Sequence, residues 1–167
     1  MKKVLYLVRH AKAEDRASFQ RDHDRDLVSE GIMAAARMGR HLAAMGIKPD
    51  CLISSTANRA KDTGKVIAEQ LNLDPDSMVL EARLFDGGPK AYMAAINEVS
   101  SQCQSVMLFG HNPDISYFAE FLTHADVGSM SKGAVAIIEF DGLEWAEVSG
   151  RTGQLVDLIV PKKLKES

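Results

Sequence analysis

The chain has 167 residues, 46% of them hydrophobic, 26% charged and 6% aromatic, with a formal net charge of -3. These values fit one folded unit spanning residues 1–167 and exclude the collagen-like, disordered and disulfide-scaffold classes. With no cationic excess, bulk attraction to nucleic acid or an anionic membrane is disfavoured, so any anion site must be local.

The run Val4 to Val8 is continuously apolar and rich in β-formers, as expected of a strand buried on both faces. It ends at Arg9-His10 and is too short for a signal peptide or a membrane span. Glu14 to Asp26 is mostly charged and reads as a solvated loop. From Glu30 to Ala44 the apolar positions recur at helical spacing, with Gly46 as the stop. Cys51-Leu52-Ile53 reads as a second strand, followed by the polar turn Ser54-Ser55-Thr56 and a helix lined by Ala60, Gly64, Ile67, Ala68 and Leu71. Met78-Val79-Leu80 is a weaker strand, Asp86 to Pro89 a loop, and Tyr92, Ile96 and Val99 mark another helix. Val106 to Phe109 is a strand ending in Gly110-His111-Asn112-Pro113, with Pro113 suited to a helix start.

Beyond this point Ala134 to Phe140, Leu143 to Val148 and Leu155 to Val160 read as strands joined by Asp141-Gly142 and Ser149-Gly150, which implies antiparallel pairing. The expected fold is α/β, a three-layer α/β/α sandwich whose mostly parallel central sheet carries an antiparallel C-terminal edge. The tail Lys162-Lys163-Leu164-Lys165 reads as solvated. Cys51 and Cys103 have no metal-binding spacing and read as packing or surface thiols, which favours a reduced, cytoplasmic setting.

In such sheets ligands bind beyond the carboxyl ends of the strands, where helix N-termini and loop amides face them. Three strand ends here deliver Arg9-His10, Ser54 to Thr56 with Arg59 just inside the next helix, and His111-Asn112. Guanidinium forks grip phosphoryl oxygens bidentately, and imidazole can attack phosphorus or donate to its oxygens near neutral pH. Two arginines and two histidines brought together therefore make a phosphate pocket.

The ordered motifs Leu7 to Lys12, Asp24 to Leu27 before Gly31, Ile53 to Thr63 and Phe109 to Pro113 resemble the histidine phosphatase superfamily, and most closely its short SixA-type phosphohistidine phosphatases. A C-terminal stretch, Leu155 to Leu164, is similar to the family's last strand and Pro-Lys tail. The resemblance implies a phosphoglycerate mutase-like fold and covalent phosphoryl transfer. His10 would be the nucleophile, Arg9 and Arg59 would hold the phosphoryl oxygens, and a protonated His111 would donate to them. Asn112 would add a donor, and neither metal nor cofactor would be needed. The substrate would be a phosphorylated protein or a small phosphorylated compound.

Larger relatives protonate the leaving oxygen with a carboxylic acid. Here Asn112 follows His111, and the loop after the third strand offers only Asp86; Glu14, Asp15, Asp22 and Asp24 lie after the first motif. A phosphoserine-type substrate would depart poorly without such an acid, whereas neutral imidazole needs little help. Three alternatives compete: a metal-dependent hydrolase using His10, His23, His111 and His124, which lack a metal-ligand spacing; a mutase-like phosphotransferase; and a module that binds a phosphorylated partner without turnover. Two histidines beside the arginines favour catalysis, because phosphate binding alone needs no nucleophile.

Overall fold

The computed structural model describes residues 1–17 and 20–164; Lys165 and part of the charged loop after the first strand lie outside them. Six strands, β1 (Lys2–Arg9), β2 (Cys51–Ser54), β3 (Val79–Leu80), β4 (Ser105–Gly110), β5 (Val135–Asp141) and β6 (Gln154–Ile159), form one sheet of order β3-β2-β4-β1-β5-β6. The first four are parallel, while β5 runs antiparallel to β1 and β6 antiparallel to β5. The α/β sandwich with an antiparallel C-terminal edge is therefore the observed architecture.

β1 lies inside the sheet, and its alternating side chains feed two cores, as the continuous apolar run requires. Tyr6 and Val8 pack with Met38 and Leu42 of α1 (Ser29–Ala44) and Ile67 of α2 (Asn58–Gln70). Leu5 and Leu7 face the opposite layer, which holds α3 (Arg83–Asp86), α4 (Pro89–Asn97) and α5 (Asp114–Thr123) through Leu84, Tyr92, Ile96 and Phe118. Gly31 lets α1 close on the loop after β1, since any Cβ there would collide with the Lys12 carbonyl. That carbonyl accepts from Val28 N at 3.1 Å, and Ala13 bridges Leu27, so the chain leaving β1 is pinned to the start of α1.

Three expectations need correction. Leu143 to Val148 forms no strand; Trp145–Glu147 is a 3-10 turn closed by a reciprocal capping pair of Glu144 and Glu147. Trp145 is 1% exposed and its indole donates to the Cys103 carbonyl at 2.6 Å. Burying that large side chain with its N–H satisfied outweighs continuing a sheet edge. Cys51 and Cys103 are not separate thiols but are joined as a disulfide, their Cα atoms 6.3 Å apart, which removes the cysteine argument for a reduced compartment. The tail is not wholly solvated either, because Leu164 packs against the core on the α1 and α2 side. Among the described residues no helix is long and apolar enough to cross a membrane.

Candidate active site

The pocket is built where β1, β2 and β4 end on the same edge of the sheet. His10 N donates to the Gly110 carbonyl at 3.1 Å, and Gly133 N donates back to the His10 carbonyl at 3.0 Å, so the residue after β1 is held between β4 and the start of β5. Ala11 N is bound by Thr63 Oγ1 at 3.0 Å, and that hydroxyl donates to the Arg59 carbonyl at 2.7 Å. One turn of α2 thus fixes both the loop after β1 and an arginine. His111 N donates to the Tyr92 hydroxyl at 2.9 Å, and the hydroxyl donates in turn to the Leu84 carbonyl at 3.2 Å. A Cβ on Gly110 would collide with that phenol, so glycine is required for Tyr92 to reach His111.

The two imidazoles face each other with centroids 5.3 Å apart, each residue only 5% exposed. His10 Nδ1 lies 2.7 Å from the Ala11 carbonyl. A carbonyl can only accept, so Nδ1 carries the proton and Nε2 keeps its lone pair. Burial pushes the His10 pKa down to about 4, helped by the Arg59, Arg9 and Arg25 charges. His111 is pushed down to about 3 by burial, by His10 and by Arg59. Both rings are thus pushed toward their neutral forms by burial and by the surrounding charges. His111 Nε2 is 2.8 Å from Ser55 Oγ, and its buried Nδ1 has no partner. With Ser55 donating to Nε2, Nδ1–H is a buried donor with no partner among the described residues.

Arg9 Nη1 donates to the Met130 carbonyl at 2.8 Å. Arg59, 6% exposed, donates to the Asp22 carbonyl at 2.7 Å and pairs with its carboxylate at 3.1 Å. Burial draws both guanidiniums below their usual pKa without threatening their charge. Arg25, which sequence reasoning missed, pairs with the other Asp22 oxygen at 3.3 Å and adds its charge to both histidines. The loop after β1 is thus more than a solvated face: its 3-10 turn Asp22–Asp24 folds onto Arg59. His23 reaches Thr56 Oγ1 at 2.7 Å and meets the Phe85 ring at 5.1 Å.

The candidate acids fall differently. Asp86 ends α3 and is exposed, and the neighbour that packs against His111 is Phe85, at 5.5 Å. Glu14 accepts from Gln20 and from Asp26 N, and these bonds hold its carboxyl below the usual range. Asp22 is spent on two arginines, and Asp24 is exposed beside His23. Asn112 donates to Ser129 Oγ and to the Met130 carbonyl, the carbonyl that also anchors Arg9. Its amide therefore braces the loop behind Arg9. Among the described residues no three His, Cys, Asp or Glu side chains are grouped to hold a metal ion, and His124 caps the far end of α5.

The depressed histidine values have a consequence for stability. Unfolded imidazoles take up protons below about 6.5, while the folded ones resist until about 4 and 3, so stability is complete above about pH 6.5 and lost as pH falls below it. The loss should be on the order of a few kcal/mol by pH 4. Thermal melts from pH 8 to pH 4 should show Tm holding and then falling, with a shallower fall in the His10→Asn, His111→Asn double variant. Parallel curves for the two proteins would refute the burial of neutral rings.

Comparison with known proteins agrees with this geometry. Residues 5–84 match the model of the histidine phosphatase superfamily, branch 1. An uncharacterised protein of Mycobacterium tuberculosis is 29% identical over 165 residues, covering 93% of this chain and all of the relative. The SixA structure from Agrobacterium tumefaciens overlays with a TM-score of 0.81 at 26% identity, covering 95% of this chain and 98% of that one. A tungstate complex of the protein histidine phosphatase SixA shares the fold, with a TM-score of 0.82 at 21% identity, covering 97% and 99% of the two chains. With the first-strand and second-strand motifs inside the matched region and the SixA overlay covering 95% of the chain, this chain is similar to the histidine phosphatase superfamily and, within it, to SixA.

Proposed function

We propose that this phosphatase hydrolyses phosphohistidine carried on a protein, by way of a phosphoryl group held transiently on His10. The observation that carries the reading is the 2.7 Å bond from His10 Nδ1 to the Ala11 carbonyl, which leaves Nε2 as an unprotonated nucleophile in a pocket with the buried Arg59 and the half-buried Arg9. In the first step the Nε2 lone pair forms the new N–P bond as the bond from phosphorus to the substrate's imidazole breaks. That imidazole leaves neutral from the imidazolium form of phosphohistidine, in which its other nitrogen bears a proton and keeps it. In the second step water attacks phosphorus, the His10 bond breaks, and inorganic phosphate departs. Arg9, Arg59 and Nδ1–H of His111 would meet the charge that gathers on the oxygens in both transition states. They supply the positive field that paired metal ions supply elsewhere, so excess EDTA should leave the rate unchanged.

The placement of the acids supports a phosphoramidate over an alkyl ester. None of Asp86, Glu14, Asp22 or Asp24 is both free and against His111. Values of kcat/KM for phosphohistidine, for aryl phosphates of graded leaving-group pKa and for phosphoserine should fall steeply in that order. A flat series would replace the assignment with a general phosphomonoesterase acting on small phosphorylated compounds. Binding without turnover of any of them would leave a phospho-ligand module.

A further inference from the structure

Phe85, at the end of α3, is half-buried and belongs to neither the phosphoryl clamp nor the nucleophile. Its ring nonetheless sits among them. It stands edge-on to His111, with centroids 5.5 Å apart and planes at 84°, and the Arg59 guanidinium carbon lies 5.7 Å from its centre. A guanidinium that grips phosphoryl oxygens brings phosphorus close to whatever flanks it, so the group attached to phosphorus must pass near this ring. The ring is also fixed in place. His23 packs against it at 5.1 Å and 76°, and His23 is itself held by Thr56, so the loops after β1, β2 and β3 converge on one aromatic face.

The geometry points to Phe85 as a specificity-determining residue that selects phosphorylated planar rings, imidazole or phenol, over phosphorylated alkyl alcohols. The inference rests on the phosphatase reading above and names its leaving group. A flat ring leaving phosphorus can stack on or stand edge-on to Phe85, where a serine methylene offers little area and no π-face. Aromatic pairs of this kind contribute enough to change affinity by about 3- to 10-fold. The adjoining carboxylate Asp86 faces solvent, so this wall presents an apolar surface where an acid would otherwise assist an alkoxide.

Two inert ligands test it, phenylphosphonate and methylphosphonate, with affinities measured by calorimetry on the wild-type protein and on Phe85→Leu and Phe85→Tyr. The wild type should prefer the phenyl ligand. Phe85→Leu should cut that preference about 3- to 10-fold while methylphosphonate binding stays within about twofold, and Phe85→Tyr should retain it. Equal weakening of both ligands by Phe85→Leu, or an unchanged preference, would overturn the proposal; were the leucine variant not to fold, the absence of a phenyl preference in the wild type would do the same. Phosphonates are not turned over, so the result is independent of whether His10 is ever phosphorylated. A retained ring preference in a protein that forms no phosphoenzyme would sink the catalytic reading and leave this one standing.

Discussion

Replacing His10 with alanine should lower kcat on the order of 10⁴-fold or more, the scale on which removal of a nucleophile is felt in covalent catalysis. The variant should still fold, because the loop is held mainly by backbone contacts to Gly110, Gly133 and Thr63 that alanine preserves. Intact-mass measurement after rapid mixing with substrate should show one added phosphoryl group on the wild type and none on the variant. The adduct should be acid-labile and alkali-stable, as a phosphoramidate is and a phosphoserine is not. A label that survives acid, maps to another residue or persists in the His10→Ala protein would refute the covalent role of His10.

Arg59→Ala should cost about 10²- to 10³-fold in kcat/KM, comparable to losing a preorganised donor at a developing oxyanion. Lysine should rescue little, since a point charge cannot reproduce a fork that serves two oxygens at once. Some of the loss will come through the scaffold, because the Arg59 side chain also holds the Asp22 turn and faces Phe85. Comparing KM with kcat separates the two. A missing clamp depresses kcat through the transition state, whereas a loosened loop chiefly raises KM. A near-normal rate would remove Arg59 from the site.

The residues legible in the sequence are those whose position follows from periodicity. Arg9 and His10 come directly after a buried strand, Arg59 in the first turn of a helix, and His111 at the next strand end, and each was placed by the strand or helix beside it. Phe85, His23 and Arg25 escaped because their roles depend on how an aperiodic charged loop folds across the pocket, which no spacing rule encodes. The push of His111 toward its neutral form is likewise invisible in the sequence, since it arises from burial and from His10, Arg59, His23 and Arg25 rather than from neighbours in the chain. The turn at Trp145 is illegible for a related reason: alternating apolar residues mark an edge strand equally well as a turn that sinks one large side chain.

The carboxylate of Asp22 places an anion of the protein's own against two of the pocket's arginines. It offsets part of the charge of Arg59 and Arg25, so a phosphoryl group gripped by Arg59, as proposed above, would compete with a resident anion. Such competition trims the affinity for any dianion, substrate and inorganic phosphate alike. A tethered carboxylate returns at an effective concentration that free phosphate in millimolar amounts must match.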